Sequence, residues 1–224
     1  GAPARSGGFH RRNICFGRRS VVYGLIAVII SYFIGGFLTA GVIASLKRVD
    51  LSKKGSGNLG ATNALRVFGP LAAVLVLLGD IAKGVLGVWV GLRLGGSKEV
   101  AALCGLAVII GHNWPLFFGF QGGKGIATTL GAIILLIPKT IMVVIPLWAL
   151  VVLLTRYVSL ASLLAALALP VATCFFYPGQ ELVLLFAAGA AILAIYRHQE
   201  NIRRLLAGKE NKIQLPRRTG REER

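Results

Sequence analysis

Seven apolar blocks, set apart by short basic or glycine-rich connections, fill most of this chain at residues 21–46, 67–94, 100–110, 126–137, 140–155, 159–176 and 181–196. One soluble core cannot bury them all, whereas a bilayer asks for about 20 apolar residues per crossing helix. Lipid offers no partner to a backbone amide, so a crossing block must satisfy its own N–H and C=O groups as a helix. The expected fold class is all-α, a polytopic integral membrane helix bundle. Composition agrees, with 55% of the 224 residues apolar and a mean hydropathy of +0.74. So many blocks also exclude a signal peptide on a soluble domain. Two of them, 100–110 and 126–137, are short. The count is seven transmembrane helices if both cross and five if both are re-entrant.

Twenty-five lysines and arginines against eight acidic residues give a formal charge of +17. Nucleic acid is not indicated, because many basic residues flank apolar spans, where anionic headgroups attract them and where they set orientation. Either span count puts the termini on opposite sides. With the C-terminus inside, sixteen basic residues fall in cytoplasmic segments. Arg93, Lys98 and Lys139 stay outside, eight in all once the five arginines of residues 1–20 join them. The expected protein is therefore multi-pass in the inner (plasma) membrane, N-terminus outside and C-terminus cytoplasmic. Residues 1–20 are rich in glycine and arginine and lack an initiating methionine. They read as a poorly structured basic extension of the kind an expression vector leaves, followed by the membrane domain, 21–205, and a basic cytoplasmic tail, 206–224. Cys15, Cys104 and Cys174 have the spacing of neither a disulfide framework nor a metal site.

With seven spans, three polar segments collect on the cytoplasmic side, at 55–66, 112–125 and 197–213. GSGNLGATNALR (55–66) contains GxGxxG, but it follows a membrane helix and a basic loop, so the strand of a dinucleotide fold is missing. What remains is a glycine-rich turn whose amides, with Ser56, Asn58 and Asn63, can surround an anion, and an Arg66 fork suited to two phosphate oxygens. The other reading is a helix cap with a lipid-facing arginine. GFQGGKG (119–125) fails as an ATP loop because three residues, not four, separate Gly119 from Gly123, and glycine follows Lys124 where serine or threonine is required. Its glycines still allow backbone to approach a ligand, and Lys124 adds a cation just before a helix carrying Thr128; a plain hinge is the alternative. His112 suits a base, a phosphate donor or a satisfied core residue, and Trp114 an aromatic belt. Asp80 and Lys83, three apart in LLGDIAKG (77–84), form either a structural pair or a ligand-facing lysine with an orienting carboxylate. Where the last span emerges, the arginines read as headgroup anchors, while the amide of Asn201 can fix a polar ligand without adding charge.

Together GSGNLGATNALR (55–66), GDIAKG (79–84), GHNWPLFFGFQGGKG (111–125), LLTRYVSLASL (153–163) and YRHQENIRRLLAGKENKI (196–213) closely resemble the bacterial membrane glycerol-3-phosphate acyltransferases that use acyl-phosphate as donor. The resemblance implies a seven-helix bundle with its active site toward the cytoplasmic face, so that both short blocks cross. It implies that Ser56, Arg66, His112, Lys124 and Asn201 take the catalytic positions. Gly57, Asn58, Asn63, Lys83, Gly122, Gly123, Gly125, Thr128 and His198 would bind substrate around them. Two stretches depart from the family pattern: Gln121 stands where a lysine often precedes the paired glycines, and IGGFLTA (34–40) differs from the usual first span.

The implied reaction moves a long-chain acyl group from its mixed anhydride with phosphate to the sn-1 hydroxyl of glycerol-3-phosphate. It yields lysophosphatidic acid and inorganic phosphate, a step of phospholipid biosynthesis. Ser56, Lys124 and the amides of 122–125 are expected to hold the acyl-phosphate head, and Arg66, Lys83, His112 and Asn201 the glycerol-3-phosphate. The fatty chain would lie between helices, at about 0.8 kcal/mol per buried methylene. An acyl-phosphate is already activated and Ser56 lacks an evident base and orienter, so no acyl-serine is expected. The hydroxyl proton goes to a phosphate oxygen, whose second pKa is near 6, or to His112; the first is preferred, with His112 a positioner. No cofactor or metal is expected, since convergent carboxylates and ligand-spaced histidines are lacking. The chain is expected to work as a monomer among membrane lipids. The rival reading is a membrane transporter of phosphate or a small organophosphate, disfavoured because the polar segments share one side and no inverted repeat is evident.

Overall fold

The computed structural model describes residues 8–213, with side chains from residue 20 onward. Expectations for residues 1–7, for the side chains of 8–19 including Cys15, and for the end of the tail at 214–224 lie outside the described residues. Among the described residues ten α-helices follow one another: α1 (Gly8–Gly36), α2 (Thr39–Leu46), α3 (Ala61–Phe68), α4 (Pro70–Leu94), α5 (Lys98–Asn113), α6 (Ile126–Leu136), α7 (Ile141–Thr155), α8 (Val158–Phe176), α9 (Glu181–Arg197) and α10 (Gln199–Leu206). No strand occurs among the described residues, so the all-α expectation agrees with the chain.

Local chemistry explains the breaks. Pro70 opens α4, where its missing N–H costs nothing. Ser97 caps α5, its hydroxyl accepting from the Val100 amide at 3.2 Å. Between α9 and α10 the axis bends by 60° at His198. Beyond the bend the sequence QENIRRLL is amphipathic and buries Asn201.

α1 packs on α4 and α5, α4 on α5 and α6, and α9 on α5 and α8, while α7 packs chiefly on α8. Val88, Val108, Ile109, Ile133, Leu169 and Phe186 are central to the main core. Leu153, Leu154, Val171 and Phe175 are exposed, as lipid-facing residues are in a protein that meets hydrocarbon at its perimeter. The α4–α6 contact depends on glycine. A Cβ on Gly84 would lie 2.1 Å from the Thr128 carbonyl oxygen, and one on Gly131 2.0 Å from that of Ile81. Small residues let helix backbones approach closely where lipid supplies no hydrophobic drive.

Among the described residues five segments are long and apolar enough to cross a membrane, namely Ser20–Leu46, Pro70–Leu94, Lys98–Phe118, Pro138–Thr155 and Val158–Phe176, or six when the bent pair α9–α10 is taken as one span. That is fewer than the expected seven, and the difference lies at α6. The 11 residues of α6 span only about 16 Å at 1.5 Å per residue, roughly half the hydrocarbon thickness. Beyond α6, the Lys139 amide donates to the Tyr177 hydroxyl at 3.0 Å, and the Lys98 ammonium sits 4.7 Å from the centroid of that ring. The α4–α5, α6–α7 and α8–α9 turns therefore share one end of the bundle.

Crowding at α4–α6 makes a direct prediction. Gly131→Val forces backbone apart and should destabilise by about 2 kcal/mol or more, lowering the thermal unfolding midpoint in detergent. Gly24→Ala should leave the midpoint unchanged, because its new Cβ meets nothing closer than Val100 at 3.5 Å.

Candidate functional site

The end opposite Tyr177 gathers the polar segments. Ser56 sits in the turn before α3, and Asn63 on the first turn of α3 reaches back to it. Asn63 Oδ1 accepts from the Ser56 amide at 2.8 Å. Its Nδ2 donates to the carbonyls of Lys54 at 3.0 Å and Leu51 at 3.4 Å. Asn63 is thus buried as the internal brace of the turn, which differs from an anion contact through its amide. Gly57 supports the same turn in a left-handed conformation, φ 71°. Arg66 stands exposed at the far end of α3.

The glycine loop folds onto the end of α5. The Gly123 amide donates to the His112 carbonyl at 3.1 Å, and a Cβ at Gly123 would strike His112 Nε2 at 2.1 Å. Arg197 grips the loop from the other side, Nε donating to the Gly123 carbonyl at 2.9 Å and Nη2 to that of Gly122 at 3.0 Å; its guanidinium also lies 5.5 Å from the Trp114 ring centroid. The amide of Gly123 is spent inside the protein, so the expectation that the amides of 122–125 act together on a ligand is corrected at that position. Gly125 turns the chain into α6 with φ 79°. Thr128, fully buried, lies within the α4–α6 contact.

Between α6 and α7–α9 lies a cavity of about 420 Å³. Ser56, Asn58, Asn63, Arg66, His112, Lys124, Gly125, His198 and Asn201 are among its lining residues, as are Asp80, Ser159 and Glu210. The rest of the wall includes Leu130, Ile133, Val144, Ile145, Ala165 and Leu169. Of the residues expected at the site, Gly57, Lys83, Gly122, Gly123 and Thr128 are not part of that wall. Lys83 is the clearest correction. Its ammonium pairs with Asp80 Oδ1 at 2.9 Å and donates to the Phe37 carbonyl at 3.1 Å, nearly wholly buried. That is the structural pair, not a lysine aimed at an anion. His112 Nδ1 is 3.6 Å from the same Asp80 oxygen, beyond a hydrogen bond, so Asp80 does not orient it.

Lys124 is held differently. Its ammonium donates to Asn201 Oδ1, and Asn201 Nδ2 donates to Glu210 Oε1 at 2.8 Å. Ser159 Oγ shares that oxygen at 3.1 Å, and Arg204 Nε takes Oε2 at 2.8 Å. Burial pushes the Lys124 ammonium down to about 8; Glu210 and Glu200 pull it back up, while Arg204 and Arg66 push it further down. Burial also pushes the Glu210 carboxyl up, but hydrogen bonds from Arg204, Asn201 and Ser159 outweigh it and hold the group below the usual carboxylate range. His198 Nδ1 lies 2.7 Å from the Ala194 carbonyl, which can only accept, so that nitrogen carries a proton.

Sequence reasoning passed over Glu210, Ser159 and the loop-holding Arg197. A signal existed for the first: one acid within the basic stretch AGKENKI, in a chain with eight acidic residues. Nothing in the sequence alone distinguishes Ser159 from its neighbours.

Comparison with known proteins follows the same residues. The family model described as glycerol-3-phosphate acyltransferase matches residues 25–208. A glycerol-3-phosphate acyltransferase of Halalkalibacterium halodurans is 46% identical over 200 residues, 85% of this chain and 95% of that protein. One from Alkaliphilus metalliredigens is 43% identical over 190 residues, 84% and 95% respectively. Among solved structures, PlsY, an integral membrane glycerol 3-phosphate acyltransferase, superposes in its glycerol 3-phosphate form with a TM-score of 0.80 and 40% identity, covering 85% of this chain and 96% of that one. Its lysophosphatidic acid form gives 0.78 at the same identity, covering 85% and 95%. With the match running through the polar segments at 55–66 and 112–125 and on to residue 208, this chain belongs to the glycerol-3-phosphate acyltransferase family of integral membrane enzymes.

Proposed function

We propose that the protein transfers a long-chain acyl group from acyl-phosphate to the sn-1 hydroxyl of glycerol-3-phosphate, releasing lysophosphatidic acid and inorganic phosphate. The observation that carries this is one cavity with two characters: Ser56, Arg66, Lys124 and Asn201 at a polar mouth, and an apolar slot toward Ile133, Val144 and Leu169. Two phosphate-bearing substrates fit the mouth, and a fatty chain fits the slot at about 0.8 kcal/mol per methylene removed from water. The two PlsY forms, with glycerol 3-phosphate and lysophosphatidic acid, support the same acceptor and product here.

In this reading Lys124 and Ser56 hold the acyl-phosphate head, while Arg66, His112 and His198 face glycerol-3-phosphate, with Asn58 beside them. Asn201 acts by aiming Lys124. Donors fixed where oxygen charge develops lower the barrier without reorganising during the step. The acceptor hydroxyl attacks the acyl carbon, the bond from that carbon to the phosphate oxygen breaks, and the hydroxyl proton leaves with the phosphate. The 3.6 Å separation of His112 from Asp80 supports a positioning role for the imidazole. We further read α6 and its exit turn as a seventh, shortened traversal, because it starts at the polar mouth and leads to the Tyr177 end. The excess of basic residues around the mouth supports its facing the cytoplasm, with the C-terminus inside and the N-terminus outside. A monomer suffices for this site, since a single chain supplies every residue named.

Three outcomes are expected. Purified protein in detergent should form lysophosphatidic acid and phosphate from acyl-phosphate and glycerol-3-phosphate with no second compartment; uptake seen only in sealed vesicles would instead favour a transporter. Ser56→Ala should slow turnover, and mass spectrometry of a quenched wild-type reaction should find no acyl group on Ser56. Because Lys124 binds phosphate only as a cation, kcat/KM should decline as pH rises through about 8. Lys124→Met should abolish that alkaline limb and cost roughly 10²–10³ in rate; a limb that survives the substitution would assign it to another group.

A further inference from the structure

The stretch LLTRYVSLASL (153–163) has no part in the reaction so far, yet the α7–α8 turn within it touches the tail at three points. Ser159 Oγ donates to Glu210 Oε1 at 3.1 Å. Arg156, in a left-handed conformation with φ 62°, offers its carbonyl to the Ile213 amide at 2.9 Å. The Lys212 ammonium lies 5.3 Å from the centroid of the Tyr157 ring. The turn is itself tied, the Tyr157 amide donating to Thr155 Oγ1 at 3.1 Å. Glu210 is thereby fixed, its carboxylate only 4% exposed.

What Glu210 does depends on Asn201. A carboxylate only accepts, so it must face the Nδ2 side of the amide, and that orientation turns Oδ1 toward the Lys124 ammonium. A lysine is a point charge on a flexible four-carbon stem and is poorly located without such a partner. We propose that Ser159 is a positioning residue for acyl transfer: from the α7–α8 turn it anchors Glu210, and through Asn201 it sets where the Lys124 ammonium stands in the cavity mouth. This rests on the reading of Lys124 as the cation that holds phosphate.

The charges that act on Lys124 are Glu210 and Glu200, which favour its protonated form, and Arg204 and Arg66, which oppose it; His198 is a further titratable neighbour. Without the Ser159 hydroxyl, the Glu210 carboxylate is drawn toward Arg204, away from Lys124. The ammonium then loses its proton at a lower pH.

The test reads Lys124 directly. The folded protein is labelled with an amine-directed reagent across a pH series, and modification of Lys124 is quantified by mass spectrometry. Wild type should titrate at about 8, Ser159→Ala at lower pH, and Ser159→Thr, which keeps the hydroxyl, as wild type. Ser159→Ala should also lose about ten-fold in kcat/KM for acyl-phosphate, the scale of a hydrogen bond to a charged group, while still unfolding in one cooperative transition at a somewhat lower midpoint. An unaltered Lys124 titration in Ser159→Ala overturns the proposal, whatever happens to activity. A titration that shifts in a protein whose wild type transfers no acyl group leaves the Ser159 linkage standing and overturns the substrate reading instead.

Discussion

The proposed reaction asks for a cation at the mouth of an apolar slot, and Lys124 stands there on a neutral partner. A buried charge without a partner is strongly disfavoured, yet a lysine closed into a direct ion pair is unavailable to an incoming phosphate. The chain meets both conditions by placing a neutral amide between the charges. Asn201 takes the Lys124 ammonium on its oxygen and passes its own N–H to Glu210. The carboxylate steadies the lysine at one remove and leaves the face toward the cavity open. Arg204 of α10 and Ser159 of α8 hold the carboxylate, so the charge behind Asn201 is fixed from the same helix and from one further helix.

Asp80 and Lys83 show the opposite arrangement within the same bundle. Their direct contact at 2.9 Å, closed off by the Phe37 carbonyl, neutralises both charges in the interior. Replacing one partner would strand the other in a low dielectric, which is the usual reason such pairs persist in membrane helices. Two lysines, each near an acidic group, are thus held differently: one pair is direct and the other is bridged.

Backbone proximity is the second structural theme. Glycines let α4 and α6 touch along Gly84 and Gly131, and the same economy of side chain lets the loop at 122–123 lie against the His112 ring. Arg197 then secures that loop through its carbonyls. The consequence is a rigid wall on the α5–α6 side of the cavity, while α7 packs chiefly on α8 and faces α6 across the slot. The slot is lined by apolar residues of α6, α7 and α8, among them Ile133, Val144 and Leu169.

From the sequence alone come the helical blocks, the polar segments and most of the residues at the mouth. These depend on local quantities: hydrophobic length, a proline or serine at a helix start, glycines at turns, and charge beside a span. The short block at 126–137 was legible as an apolar run, but whether eleven residues reach between the two ends is decided by packing on α4. Partner choice was not legible either. Asn63 looked like an anion ligand and braces a turn; Lys83 looked like a ligand-facing charge and is paired; Glu210 looked like tail and steadies Lys124. Ser159 meets Glu210 across 51 positions, and Lys124 meets Asn201 across 77. A buried charge or amide is satisfied by whichever group the fold brings within about 3 Å, and at those separations only the assembled helices determine which group that is.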